Sequence, residues 1–502
     1  LPNAHLRFNV KPNEWDAGLP KSALEFDFDI ENLVAHYYRP MPPLKKAWGK
    51  GRLTLDDVEL QIERGEIEGL AVDGTRVLIG RFSVRPQTAD ILLTVDGPIE
   101  NLLNIVDSEP LGYISAFGVD PDSVTGKASG QARLLIPLLK DLKIEEVSLD
   151  AGVDAAQFAM ADLFEFGGLS NGMARFDVTT EGLHAVGGVD VAGIAAHVDW
   201  YEDFRENVPQ ATRADIIATI SDRDIERFGV DLGQRFAGAF EARINILGNG
   251  ADITSGTIVA DFKASELSIP ILDWHKEAGE ETSLRALIDT DDGFNITNAV
   301  FVGPDMNTEF DLSFIKEGAR FEASKAIFGE NDLSISANVL GGAWDVEIKG
   351  RSLNLSPILS QLYELDAEDE EGVEPTLPWP DFQGIVDLDR VVLAHVTELV
   401  VMTGRVQVLD DHMTRLVLNG KLDGHSTFAL DLEEVAENVR ELKVTAQDAG
   451  LTAKGLDLFT KGAGGSLELN AQIRGRQDDV EIDGLATMEG FRLTEAPVFA
   501  RL

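Results

Sequence analysis

Leu24-Glu25-Phe26-Asp27-Phe28-Asp29-Ile30 decides the fold class. Apolar and acidic residues alternate strictly, so in an extended chain Leu24, Phe26, Phe28 and Ile30 share one side and Glu25, Asp27 and Asp29 the other. Period two recurs on either side of this stretch. It is carried by Leu6, Phe8 and Val10, by Val58, Leu60 and Ile62, and by Phe310, Leu312 and Phe314. Leu333, Ile335 and Ala337, then Trp344, Val346 and Ile348, then Leu467 and Leu469 continue it. Turn signals such as Asp73-Gly74, Gly97-Pro98, Gly187-Gly188 and Asp292-Gly293 punctuate the runs at spacings of about eight to twelve residues. The pattern predicts a mostly β chain. Three short helical candidates stand out: Ile99 to Val106 after Gly97-Pro98, Ser356 to Tyr363 with Pro357 at the first helical position, and Leu432 to Arg440.

The chain has 502 residues, which at ~150 residues per domain suggests two to four domains or one repetitive array. With strands of ordinary length it holds roughly thirty to forty of them, and open twisted sheets rarely exceed ~10 before curling or splitting. Two architectures remain. Either several sandwiches follow one another, or one long antiparallel twisted sheet curls into an elongated, solenoid-like groove, on the order of 140 Å for thirty strands at ~4.8 Å each. The second is the expected fold.

Lys and Arg number 43 against 87 Asp and Glu, a net charge of −44. Nucleic-acid affinity comes largely from cations that neutralise phosphates, so no nucleic-acid partner is expected, and an anionic bilayer surface is equally ill matched. Cysteine is absent, which removes disulfides, thiolate metal sites and cysteine nucleophiles. No run approaches the ~18 apolar residues of a membrane-spanning helix. With no initiating Met and no signal peptide, the chain reads as a fragment of a longer protein, so an anchor is expected outside it.

Chemistry is hard to find. The histidines at 5, 36, 184, 197, 275, 395, 412 and 425 include no pair three or four apart, and no P-loop or Gly-x-Ser-x-Gly elbow occurs. Gly462-Ala463-Gly464-Gly465 reads as a turn. Asp289-Thr290-Asp291-Asp292-Gly293 has its glycine one place early for a calcium loop and no glutamate at the twelfth position, so it reads as a hairpin tip. No enzyme activity, cofactor or metal is expected. Phenylalanine numbers 25 against five Tyr and six Trp, an inventory suited to purely apolar contact.

An internal repeat is visible. Ala116 to Asp120 leading to Gly126–Arg133 corresponds to Arg227 to Asp231 leading to Gly238–Arg243. Glu364 to Glu374 carries seven carboxylates and is followed by Pro375, Pro378 and Pro380. The expected organisation is therefore a β-groove segment over 1–110, repeated units over 111–363, an acidic, proline-rich linker over 364–380 and a C-terminal β region over 381–502.

The last sixty residues carry a resemblance. Val444 to Gly450, Gly455-Leu456-Asp457-Leu458, Gly464 to Leu469, Glu481 to Leu485 and Phe491 to Pro497 follow the order seen at the C-terminus of AsmA-like proteins, the bacterial envelope group that includes the TamB and YhdP relatives. Asp96 to Pro110, Gly126 to Leu138, Gly193 to Trp200 and Gly350 to Pro357 resemble the long repeat region of the YhdP-type branch. The resemblance runs from about residue 50 to the end. By that resemblance, the family's N-terminal inner-membrane anchor is expected outside this sequence, and the C-terminal region is expected to continue beyond it.

That resemblance implies a non-catalytic, bridge-like carrier of phospholipids through the periplasm. It implies acyl chains as ligand and the inner and outer membranes as the partners at its two ends, with other envelope partners unassigned. The groove lining is expected to include Leu24, Phe26, Phe28, Ile30, Phe310, Leu312, Phe314, Trp344, Val346 and Ile348. The alternative is a structural or adhesive cell-surface protein of stacked β-sandwiches, in which the same residues fill closed cores.

Overall fold

A computed structural model describes residues 3–11, 14, 18–109, 111–116, 119–143, 146–164, 167–205, 207–227, 235–250, 252–269, 274–290, 293–315, 318–340, 342–357, 359, 381–409, 412–475 and 481–494. In chain order the first strands are β1 (Ala4–Phe8), β2 (Leu24–Ala35), β3 (Leu44–Thr54), β4 (Val58–Ile67), β5 (Leu70–Ala71), β6 (Thr75–Gly80) and β7 (Thr88–Pro98). Helices α1 (Ile99–Asp107) and α2 (Tyr113–Ala116) precede β8 (Val124–Pro137), β9 (Ser148–Phe164), β10 (Gly167–Thr179), β11 (Gly182–Val191), β12 (Ile194–Asp203) and β13 (Thr212–Ser221). After α3 (Asp222–Arg227) come β14 (Phe236–Ala237), β15 (Ala239–Asn249), β16 (Asp252–Asp261), β17 (Glu266–Ile269), β18 (Trp274–Lys276), β19 (Ser283–Asp289), β20 (Asn295–Gly303) and β21 (Met306–Ile315). Then follow β22 (Gly318–Phe328), β23 (Asn331–Leu340), β24 (Ala343–Asn354), β25 (Phe382–Val392), β26 (Glu398–Leu409), β27 (His412–Leu422), β28 (Ser426–Ala436) and β29 (Val439–Ala446). The chain closes with α4 (Ala449–Gly455), β30 (Gly462–Ala463), β31 (Ser466–Arg474), β32 (Glu481–Glu489) and β33 (Arg492–Leu493).

The fold is mostly β, as the alternation predicts, and divides into two compact units. Unit 1 comprises residues 1–230 and 241–256, and unit 2 residues 231–240 and 257–502. In unit 1, β1, β2, β3, β4 and β6 to β13 pair in succession, every pair antiparallel. Unit 2 runs β19 to β29, then β31 and β32. One of its pairings departs from the all-antiparallel expectation. β24 and β25 are parallel, Trp344 opposite Phe382 and Asn354 opposite Val392, so the sheet is mixed. Parallel neighbours cannot be joined by a hairpin and need a crossover of a dozen or more residues, a length that residues 355–381 supply. The linker expected over 364–380 lies within that connection, outside the described residues.

Helices are few. α1 covers the predicted Ile99–Val106. Of the Ser356–Tyr363 candidate, Ser356, Pro357 and Leu359 are helical and the other residues are not described. The third candidate, Leu432 to Arg440, is a hairpin instead: β28 turns at Asn438, whose φ is 57°, into β29. Leu430 and Leu432 continue an alternating run whose partners lie on β27 and β29, and those pairings outweigh the local helical spacing. A helix that alternation does not announce occupies Ala449–Gly455, where the Asp448 carboxylate accepts from Leu451 N at 2.9 Å as its N-cap. Of the repeat, the first copy leads into β8 and the second into β15, and 117, 118 and 228–234 within them are not described.

Two kinds of buried hydrophobic side chain stabilise the sheet, small ones on the sheet itself and large ones such as Leu388, Val391 and Leu422 beneath a second layer. Among the described residues 18 of the 42 are alanine. A methyl group on a sheet is shaded by its longer neighbours, whereas a bulky side chain becomes dry only beneath a second layer.

Candidate functional site

In unit 2, opposing residues on neighbouring strands project to the same side, so registers can be followed across the sheet. One row runs Ile296, Leu312, Phe321, Ala337, Val346, Gly384, Val406, Leu416, Leu432, Leu442, Ala471 and Gly484. The next runs Ala299, Phe310, Ala323, Ile335, Ile348, Val386, Gly404, Leu418, Leu430, Val444, Leu469 and Ala486. Neither row contains a polar side chain. Each crosses β20 to β32, on the order of 50 Å at ~4.8 Å per strand.

The six unit 2 residues expected in the lining all fall on this face. Phe310 and Ile348 share the second row, Leu312 and Val346 the first, and Phe314 and Trp344 are joined through Ala319 and Val339. Phe310, Leu312, Val346 and Ile348 are half-buried, while Phe314 is 47% and Trp344 39% exposed. The Phe310 and Phe321 rings meet at 5.5 Å between centroids. Beneath and beside them lies one apolar cluster that includes Leu333, Leu388, Met402, Phe428 and Val444, with Leu418, Leu430, Leu467 and Leu469 packed against it. Sequence reading left out the extension over β25 to β31. Its signal was present in Val386-x-Leu388, Leu416-x-Leu418 and Leu430-x-Leu432, but Gly384, Gly404 and the adjacent parallel step interrupt it.

The other four expected residues belong to unit 1. On β2, Leu24 faces Phe8, Phe26 lies between Leu6 and Leu53, Phe28 faces Gly51, and Ile30 is buried with Ala47 and Ile62. Phe26 and Phe28 stack at 5.3 Å. Glycine at 51 is required by that packing, because a Cβ there would sit 2.2 Å from Phe28 Cζ. The row through Phe26 continues to Val58, Ile79, Ala89 and Ile136, and the row through Phe28 to Leu60, Val77, Ile91, Leu134 and Leu149. Farther along unit 1, Ile99, Leu102 and Leu103 of α1 pack on Ala128, Val153, Ala155 and Phe176 and cover that part of the face.

The cross-strand ion pairs lie on the other side. Arg52 pairs with Asp27 at 2.7 Å, Arg133 with Asp90 at 2.7 Å and Lys325 with Glu309 at 3.3 Å, all exposed cross-strand pairs of small energetic weight. The Arg133 hydrogen bonds hold the Asp90 carboxyl below its usual range. Lys276 is different. Its ammonium has no exposure and donates to the carbonyls of Phe262 at 2.7 Å, Lys263 at 3.2 Å and Ser265 at 2.5 Å, using all three donors on backbone oxygen. Burial pushes its pKa down. It ties the turn before β17 to β18 and faces no substrate space.

Among the described residues no group of three His, Asp or Glu is placed to hold a metal ion, and no helix is long and apolar enough to cross a membrane. What this arrangement can do is present a broad, partly uncovered hydrocarbon surface backed by carboxylates. No family model matches the chain, and no curated protein or solved structure matches it.

Proposed function

We propose that the protein is a non-catalytic carrier that shelters phospholipid acyl chains on the apolar side of its sheet. The observation that carries this reading is the pair of twelve-strand rows in unit 2, free of polar side chains and only half covered. A stack of closed sandwiches would bury Val346, Ile348, Leu418 and Leu430 completely, whereas all four stay partly open. Moving a two-tailed lipid through water exposes roughly thirty methylenes at ~0.8 kcal/mol each, on the order of 24 kcal/mol. A face of this kind removes most of that barrier with no reactive group. The resemblance to AsmA-like proteins adds the setting: the periplasm, with a longer protein anchored in the inner membrane and reaching the outer one.

The test is organic extraction of the purified chain followed by mass spectrometry. Phospholipid is expected in the extract, and a delipidated sample is expected to recover it from vesicles. A chain that yields none and takes up none is not a carrier, and the adhesive reading then replaces this one.

A further inference from the structure

We propose, resting on the carrier reading above, that Glu202 and Thr212 form a seat for the primary ammonium of an aminophospholipid headgroup at the rim of the unit 1 apolar face. The row Leu93, Ala132, Ala151, Val178 and Leu183 leads to these two residues, Leu183 opposite Glu202 and Glu202 opposite Thr212. Both stand at strand ends, where β12 finishes and β13 begins. Glu202 is 6% and Thr212 8% exposed. The Thr212 hydroxyl donates to Glu202 Oε2 at 2.6 Å and lies 3.3 Å from the Gly250 carbonyl oxygen. Among the described residues no lysine, arginine or histidine pairs with Glu202. The other carboxylates of β12, on the opposite side, have partners: Asp199 meets His184 at 2.9 Å, and Asp203 is bound by Arg205.

A carboxylate this deeply buried is costly without an opposite charge. An ammonium supplies the charge and three donors, which match the carboxylate, the hydroxyl and the Gly250 carbonyl. Trp200 precedes Glu202 by one pleat on the same side, about 7 Å along the strand. One carboxylate balances a monocation, whereas divalent ions take six or more oxygens, usually with several carboxylates. Inward from the rim, Ala185 and Phe176 adjoin Trp200 in the neighbouring row and offer the tails an apolar track.

The experiment loads the delipidated full chain from vesicles of equal phosphatidylethanolamine and phosphatidylglycerol and analyses the bound lipid by mass spectrometry. The wild type is expected to favour the amine headgroup about tenfold, and Glu202→Gln to bring the ratio near parity with total lipid unchanged. Glu202→Asp, which keeps the charge one methylene short, is expected to fall between them and serves if the amide variant does not fold. A wild-type ratio near parity, or a ratio unmoved by Glu202→Gln, overturns the headgroup seat while leaving the carrier reading intact. Absence of bound lipid in the wild type overturns both. Glycerophosphoethanolamine, the same amine without tails, is expected not to be retained, and its retention would assign the seat to a soluble amine instead.

Discussion

Val346→Glu is expected to lower the acyl chains held by the purified protein more than tenfold, and Glu347→Gln, one residue away, to leave them unchanged. Val346 sits in the middle of the first unit 2 row with Ala337 and Gly384 beside it, and Glu347 points to the charged side. Covering an ionised carboxylate with hydrocarbon costs several kcal/mol, enough to exclude a chain that gains ~0.8 kcal/mol per methylene from lying across it. Because Val346 is only half-buried, the sheet is expected to tolerate the change, and an unaltered circular dichroism spectrum checks this. Radiolabelled phospholipid retained after gel filtration gives the comparison. Equal retention by the two variants would remove this face from the binding surface.

Lys276→Met is expected to produce the largest loss of stability of any single change at a polar residue of unit 2. The thioether fills the same volume but offers no donor, so the carbonyls of Phe262, Lys263 and Ser265 lose their bonds together. Each unsatisfied buried carbonyl costs about 1–3 kcal/mol, offset in part because an ammonium no longer has to be desolvated, and the net expectation is about 3 kcal/mol. Hydrogen exchange read by mass spectrometry should show amides over 262–269 and 274–276 exchanging about a hundredfold faster. Lys276→Arg should fail to restore protection, since a planar fork cannot serve three carbonyls arranged around one nitrogen. Unchanged exchange would mean that the turn holds without its lysine.

Much of this was legible in the chain. Where alternation is strict, as on β2, β21 and β24, the side of every residue follows from pleating alone, and the structure sets Phe310, Leu312, Val346 and Ile348 in common rows as their spacing requires. Legibility ends where register is decided by partners. Nothing in Phe382-Gln383-Gly384-Ile385 distinguishes a parallel neighbour from an antiparallel one. Positive φ at Val401, next to Met402, shifts the phase of β26. α4 was hidden because Ala449, Gly450 and Gly455 carry no periodic apolar signal. Their small size matters only against Ala463 and Thr397, which a Cβ on Gly450 and Gly455 would touch. Glu202 was hidden for another reason. In Trp200-Tyr201-Glu202-Asp203 acids occupy both parities, so only the pairing with Leu183 and Thr212 reveals which one faces the apolar side.

The parallel step between β24 and β25 joins neighbouring strands through a long crossover, where the remaining steps of the unit 2 ladder are antiparallel. Nine residue pairs join the two strands, and Leu355 N to Val392 O and Trp344 N to Asp381 O, each 2.9 Å, carry the ladder into both ends of the connection between them. A protease nick there would leave both pieces stitched side by side, making this junction the natural place to divide the polypeptide into complementing fragments that reassemble on mixing.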